Sequence, residues 1–278
     1  MARTKAQQAD DINTLSTFLA NSQISDLHSL DKSIDVIVSC VSSVLFPTTA
    51  LFQHLRSNPR LTRSLLLCGG KGHSTPHIYA AIKSHPLYSR IYDEIVNLPE
   101  SHVLLMVLDT FFEGKSLRDA GLQVFVEDKS TNCGANAVET KRVLESVGII
   151  SPKTIVLYQD CTMSLRTKAG FDCVYEGTGT EILCWPGWMP IVKAAGDHEK
   201  EDKEVIFDVA RISKEAGRVV EEGELWSMQR FLGLIVGEIP RFEAYGPRGS
   251  RSVVDVQIPE RVRSAWERLK EDGVNHGR

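Results

Sequence analysis

The chain has 278 residues, 42% of them hydrophobic and 24% charged, and a formal net charge of −4. This length and composition allow a sizeable buried core, while the negative charge argues against a general nucleic-acid or anionic-membrane binder. The amino-terminal stretch lacks the apolar segment of a secretory signal, and no apolar run approaches the roughly 20 residues of a membrane span. The six cysteines form no CxxC pair and are typical of reduced thiols. We therefore expect a soluble, cytoplasmic protein.

Five short apolar runs predict parallel strands that are covered on both faces. They are residues 34–39, 64–68, 122–126, 154–158 and 181–184. Helix-like stretches separate them, and the clearest of these, residues 136–147, is followed by Gly148 as a stop signal. Alternation of strands and helices with right-handed crossovers predicts a doubly wound α/β fold with a mainly parallel sheet.

The last third of the chain changes in composition. A charge run at 197–204 predicts a loop, and amphipathic stretches follow at 204–221 and 224–236, then a short apolar run at 253–256. A last helix is predicted to open at Pro259 and to place four apolar residues on one face, namely Val262, Ala265, Trp266 and Leu269. We expect a helical segment at 1–30, an α/β core at 31–196 and a helical cap on the sheet at 197–278.

Unusual residues follow four of the predicted strands, at the edge where open α/β sheets bind ligands. After the second strand, three glycines in GGKGHST would let the backbone approach a ligand closely. The loop is neither GxGxxG nor a Walker loop, so it can equally serve chain reversal alone.

After the third strand, the stretch VEDKSTNCGANA brings two acids and a row of small polar residues. The acids suit ribose hydroxyls or a hard cation. In the alternative interpretation Asp128, Ser130 or Asn132 caps the next helix and Glu127 is solvated.

After the fourth strand, an amide, an acid and Arg166 in QDCTMSLR would orient a charged ligand group. The alternative is a surface pair between Arg166 and Asp160. After the fifth strand, the tryptophans of WPGW would stack on a base or would serve packing alone.

Five cysteines also fall at or just past strand ends, namely Cys40, Cys68, Cys133, Cys161 and Cys184. Three interpretations are open: a zinc or thiol cluster, a thiolate hydrolase that pairs Cys133 or Cys161 with His73, and small buried thiols.

Together these stretches resemble the YdcF-like branch of the SanA/YdcF superfamily over most of the chain. The resemblance is carried by GGKGHST, SHPLYSRI, VEDKSTNCGANA, QDCTMSLRT, WPGW, LWSMQRFLGLIVGEIPRF, YGPRG and VDVQIPERVRSAWERLK. It implies a Rossmann-like α/β core with a helical C-terminal region and a small nucleoside-like ligand of the S-adenosylmethionine type, without an established reaction. Carried over residue by residue, it implies a ligand pocket formed by Gly69, Gly70, Gly72, His73, Ser74, Glu127, Asp128, Ser130, Thr131, Asn132, Asn136, Gln159, Asp160, Met163 and Arg166.

The chain departs from the family pattern at two positions. Relatives place a glycine with a polar partner after the first strand, where this chain has Ser39 and Cys40. Thr162 stands where more distant relatives have histidine. The segment 100–122 aligns poorly, and no residue is carried over from it.

The leading hypothesis is a protein that binds S-adenosylmethionine or a related nucleotide, and if it is an enzyme a transferase is the first expectation. One alternative is an enzyme acting on a phosphorylated or cell-envelope-type precursor through Glu127, Asp128 and Arg166. Another is a non-catalytic interaction module with a vestigial pocket.

Overall fold

The computed structural model describes residues 3–27, 30, 33–195 and 204–274. The chain divides into two compact units. The sheet unit comprises Ser22–Asp160 and Thr167–Trp185, and the terminal unit comprises Met1–Asn21, Cys161–Arg166 and Pro186–Arg278. The predicted boundary between 196 and 197 and the charge run up to 203 lie outside the described residues, and the predicted division into three segments stays a prediction.

The described residues form the following helices and strands, and each type is numbered in chain order. The helices are α1 (Lys5–Ala20), α2 (Phe46–Ser57), α3 (Thr75–Ser84), α4 (Tyr92–Ile95), α5 (Glu100–Phe111), α6 (Gly114–Asp119), α7 (Cys133–Ser146), α8 (Ser164–Val174), α9 (Val209–Ala216), α10 (Met228–Tyr245) and α11 (Glu260–Glu271). The strands are β1 (Ile34–Cys40), β2 (Thr62–Cys68), β3 (Gln123–Glu127), β4 (Thr154–Tyr158), β5 (Glu181–Cys184), β6 (Val192–Ala194) and β7 (Val205–Phe207). Short 3₁₀ turns span Tyr88–Ile91 and Glu222–Glu224.

The sheet unit contains a five-stranded parallel sheet in the order β3-β2-β1-β4-β5. All five predicted strands are confirmed, and the α/β fold is confirmed with them. The apolar runs succeed as predictors because both faces of the sheet are covered, so neither face needs polar residues. Along β1, Ile37 belongs to the core on one face and Val36 to the core on the other.

The two sheet faces carry different helices. The core that contains Ile37 also takes Leu51 of α2 and Val103 of α5. The core on the opposite face takes Leu144 of α7 and Phe171 of α8. Helices on both faces of a parallel sheet are the arrangement of doubly wound proteins, and they leave the strand ends as the places where loops converge.

Helix α7 begins three residues earlier than the sequence predicts. Its N-cap is Asn132, whose side chain accepts a hydrogen bond of 3.0 Å from the backbone N–H of Ala135. Gly148 follows the helix with a φ of +85°, as expected for a stop residue. Asn132 is therefore the capping residue among the three candidates.

The terminal unit combines α1 with the C-terminal region. An antiparallel pair of β6 and β7, which the sequence does not predict, precedes α9. Helix α10 extends well beyond residue 236 and accommodates Pro240, whereas residues 253–256 form no strand. Helix α11 follows Pro259 as predicted, and Trp266 donates its ring N–H to the carbonyl of Val236 at 2.9 Å. No helix in the described part of the chain is long and apolar enough to cross a membrane.

Candidate functional site

Two loops at the carboxyl edge of the sheet are joined by backbone hydrogen bonds. The glycine loop (residues 69–74) follows β2, and the acid loop (residues 127–132) follows β3. The N–H of Gly69 donates to the carbonyl of Glu127 at 3.0 Å, and the N–H of Gly70 donates to the carbonyl of Ser130 at 2.9 Å. A Cβ at Gly70 would lie 2.4 Å from the Ser130 carbonyl oxygen, so only glycine allows this approach.

Glu127 is the residue that shapes the acid loop. It is 1% exposed, and its Oε1 accepts the backbone N–H groups of Lys129 and Ser130 at 2.7 and 2.8 Å. Its Oε2 accepts the Ser130 hydroxyl at 2.5 Å and the Cys68 thiol at 3.2 Å. Glu127 is therefore buried rather than solvated, and its four donors fix the backbone of the loop.

Asp128, the next residue, lies in the opposite environment. Its side chain is 44% exposed, and Oδ2 lies 3.2 Å from Nε2 of His102 on α5. Within the described part of the chain no donor reaches Oδ1. The loop that Glu127 fixes thus presents the Asp128 carboxylate at the mouth of the strand, with one oxygen open to a ligand.

Glu100 is a site residue that the sequence analysis missed. It is 9% exposed at the start of α5, and its Oε1 accepts the hydroxyls of Ser74 and Thr75 at 3.0 and 2.9 Å. The N–H of Glu100 donates to the Gly70 carbonyl at 3.1 Å. Burial raises the pKa of Glu100, although the hydrogen bonds from Thr75 and Ser74 act in the opposite direction.

The glycine loop also offers backbone donors. In the described part of the chain, no acceptor takes the N–H groups of Lys71 and His73, whereas the N–H of Gly72 donates to the Thr75 hydroxyl at 2.8 Å. Both Lys71 and His73 are exposed. These amides lie just before α3, where the helix dipole favours negatively charged or electron-rich groups.

The loops after β1 and β4 hold a buried polar contact. The Asp160 carboxylate accepts the hydroxyl of Ser42 at 2.7 Å, and the Ser42 oxygen accepts the N–H of Val44 at 3.1 Å. Gln159 is 2% exposed and accepts the N–H of Asp160 at 2.7 Å. Neighbouring strands β1 and β4 flank the point where the strand order reverses, which is where open α/β sheets form their ligand crevice.

The remaining residues of the acid loop and α7 have local roles. Thr131 is exposed, and its carbonyl lies 3.0 Å from where a Cβ at Gly72 would stand. Asn132 caps α7, and the Asn136 amide contacts Cys40 Sγ at 3.7 Å. The acid loop can cap α7 and also bind a ligand, because the cap uses one side-chain oxygen, that of Asn132.

Arg166 and Met163 belong to the terminal unit. Arg166 is buried and binds Glu238 through two hydrogen bonds of 2.6 and 3.1 Å. Glu238 is fully buried and also accepts from Arg241 at 2.8 Å. The interpretation of Arg166 as half of a surface pair is therefore wrong, and its carboxylate partner in this unit is Glu238. Met163 is half-buried just before α8.

The tryptophans after β5 take part in aromatic packing. Trp188 stacks on Trp226 in the terminal unit, with ring centroids 5.3 Å apart. Trp185 packs against Tyr158 in the sheet unit, with ring centroids 5.6 Å apart. Both tryptophans are 6% exposed. The packing interpretation of WPGW therefore accounts for both rings.

The cysteines at the strand ends are mostly buried. Cys40 and Cys68 are paired in register on β1 and β2, and Cys161 is fully buried. The pKa of Cys68 is raised well above its ordinary value by burial, then by the hydrogen bond and charge of Cys40. This direction disfavours a thiolate there. Within the described residues, no three His, Cys, Asp or Glu side chains are placed to hold a metal ion.

No protein-family model matches the chain.

Proposed function

We propose that this protein binds S-adenosylmethionine or a related nucleoside-like ligand at the carboxyl edge of the sheet unit. The proposal rests on the resemblance of the sequence to YdcF-like proteins. The observation that carries it is the pair of neighbouring acids, one of which fixes the loop while the other, Asp128, presents an open carboxylate oxygen.

The two loops supply complementary groups for such a ligand. A ribose diol donates two hydrogen bonds, and an exposed carboxylate at the end of a strand accepts them. Asp128 supplies this carboxylate, and His102 orients it through the contact at 3.2 Å. The open N–H groups of Lys71 and His73 supply donors for the acceptor atoms of the ligand. In this proposal Glu127 positions the loop and does not contact the ligand.

Calorimetric titration with S-adenosylmethionine, S-adenosylhomocysteine and ATP tests this proposal. We expect saturable one-site binding of the first two ligands. Hydrogen bonds to a charged group contribute about 1.5–3 kcal/mol, so Asp128→Ala should weaken binding by roughly one to two orders of magnitude.

Asp119→Ala is the matched control, because Asp119 is also an exposed acid of the sheet unit and, among the described residues, its ion pair is the local one with Lys115. The affinity of the Asp119→Ala variant for these ligands should equal that of the wild type. The proposal is wrong if the wild type binds none of these ligands. Equal affinities of the Asp128 variant and the wild type would remove Asp128 from the site.

An enzyme acting on a phosphorylated or envelope-type precursor is the second candidate. It would need Arg166 to exchange Glu238 for a phosphate, and it would need Glu127 to release its four donors. Both requirements break buried, charge-assisted contacts, and a buried charged group that loses its partner costs free energy. The arrangement therefore favours nucleoside binding as the first function to test.

A further inference from the structure

Glu100 is a buried carboxyl whose charge is incompletely compensated. Its Oε1 accepts two neutral hydroxyls, those of Ser74 and Thr75. Within the described residues no lysine, arginine or histidine pairs with it, and no donor reaches Oε2. The amino end of α3 supplies partial positive charge through its dipole, but only about half an elementary charge.

The glycine loop is built around this carboxyl. A Cβ at Gly69 would lie 3.1 Å from Glu100 Oε2, and Gly69 has a φ of +149°, a conformation that side chains disfavour. The N–H of Ser101 donates to the Gly69 carbonyl at 2.8 Å, so the start of α5 is tied to the loop. The Ser101 hydroxyl is buried, and no group among the described residues hydrogen-bonds to it. These contacts hold Oε2 beside the loop at a defined position.

We propose that Glu100 is the residue that receives the ammonium group of the ligand. This inference rests on the proposed function and deepens it, because it assigns the amino-acid end of an S-adenosylmethionine-type ligand to the start of α5. The adenosine end then lies toward Asp128 and the open amides of the glycine loop.

The chemistry of the site selects a cation over other groups. A buried carboxylate gains most from a full positive charge, because charge-assisted hydrogen bonds are roughly twice as strong as neutral ones. Burial raises the pKa of Glu100, which means that the buried carboxyl holds a negative charge at a cost. An ammonium group offsets this cost more than a further neutral hydroxyl does, because it brings a full positive charge. A ligand end that carries a phosphate or a carboxylate without an ammonium group would be repelled.

The test compares two ligands that differ only in the amino group. One is S-adenosylhomocysteine, and the other is its deaminated analogue, in which a hydroxyl replaces the amino group. Affinities are measured by calorimetry for the wild type, for Glu100→Gln and for the control Glu94→Gln, which changes an exposed glutamate of α4 in the same unit. Glutamine keeps an oxygen for the Ser74 and Thr75 hydroxyls, and circular dichroism verifies that each variant is folded.

We expect the wild type and the control to prefer S-adenosylhomocysteine over the deaminated analogue by about tenfold, the discrimination of one charge-assisted contact. Glu100→Gln should abolish this preference, mainly by lowering the affinity for S-adenosylhomocysteine. A structural role for Glu100 would lower both affinities together and would overturn the inference, as would an unchanged preference. If the wild type binds neither ligand, the proposed function fails and the inference fails with it.

Discussion

At the scale of single residues, Glu100, Glu127 and Asp128 show how burial sorts carboxylates that look alike in the sequence. Glu127 is buried with four donors, which include two backbone N–H groups. Asp128 is exposed beside one histidine. Glu100 is buried with two neutral donors, and its pKa is raised. Of the two buried carboxylates, Glu100 is the one with fewer hydrogen-bond donors among the described residues.

Because Glu100 is buried with two neutral donors, we predict that Glu100→Gln stabilises the unliganded protein at neutral pH. A carboxyl with a raised pKa in the folded state binds protons more tightly when folded, so the stability of the wild type falls as pH rises from the ordinary pKa of 4.5 through the raised value. The glutamine variant does not titrate and avoids this loss.

Urea unfolding across this pH range checks the prediction. The difference in midpoint between Glu100→Gln and the wild type should be smallest below pH 4.5 and largest above the raised pKa. Tyr79 is the neighbouring titratable group, with a pKa raised by burial and by the charge of Glu100, and its titration lies well above this range. The variant Glu94→Gln should show no such pH-dependent difference. A destabilised Glu100→Gln at neutral pH would contradict the argument.

At the scale of loops and helices, the acid loop depends on Glu127 more than on any local propensity. The loop turns between β3 and α7, and Glu127 binds two of its N–H groups while Asn132 caps the helix that follows. Removing Glu127 leaves the N–H of Ser130 without this acceptor in a buried setting, and the N–H of Lys129 without it in a partly buried one. Each buried unsatisfied donor costs about 1–3 kcal/mol.

We therefore predict that Glu127→Ala lowers the free energy of unfolding by roughly 3 kcal/mol or more. The adjacent change Asp128→Ala removes one partly exposed pair and should cost under about 1 kcal/mol. Chemical unfolding of the two variants in parallel measures the contrast. Equal losses would show that Glu127 does not hold the loop in the way described.

The strands of the sheet can be predicted from the sequence, whereas some contacts of the candidate site cannot. Continuous apolar runs predict the five strands because helices cover both faces of the sheet, and parallel topology then brings the polar loops to one edge. Glu100 escapes prediction because it reaches the glycine loop from the start of a helix about 30 residues away, where Pro99-Glu100 indicates only a helix start. Likewise, no local pattern pairs Arg166 with Glu238, 72 residues later.

At the scale of the sheet unit as a whole, the parallel sheet has two different ends. The carboxyl end holds the glycine loop, the acid loop and the Ser42–Asp160 contact. The amino end holds an open cleft of about 590 Å³. Its lining includes Ser33, Asp35, Arg63, Ser64, Gln123 and residues 148–153. A cleft of this volume has room for a small ligand, but Asp35 there is already bound to the N–H groups of Lys153 and Thr154 and lies 3.3 Å from Arg63.

Hydrogen exchange with and without S-adenosylmethionine distinguishes the two ends. We predict that the ligand slows exchange at the carboxyl edge, above all at Lys71 and His73, because the described structure gives their N–H groups no acceptor and a ligand would supply one. Peptides covering 148–153 should exchange at the same rate in both conditions. Asp128→Ala, measured at the same ligand concentration, should lose the protection at the carboxyl edge. Protection confined to 148–153 would instead place the ligand in the cleft, where the lining charges of Arg63 and Lys153 would favour an anionic group over the ammonium-bearing ligand proposed for Glu100.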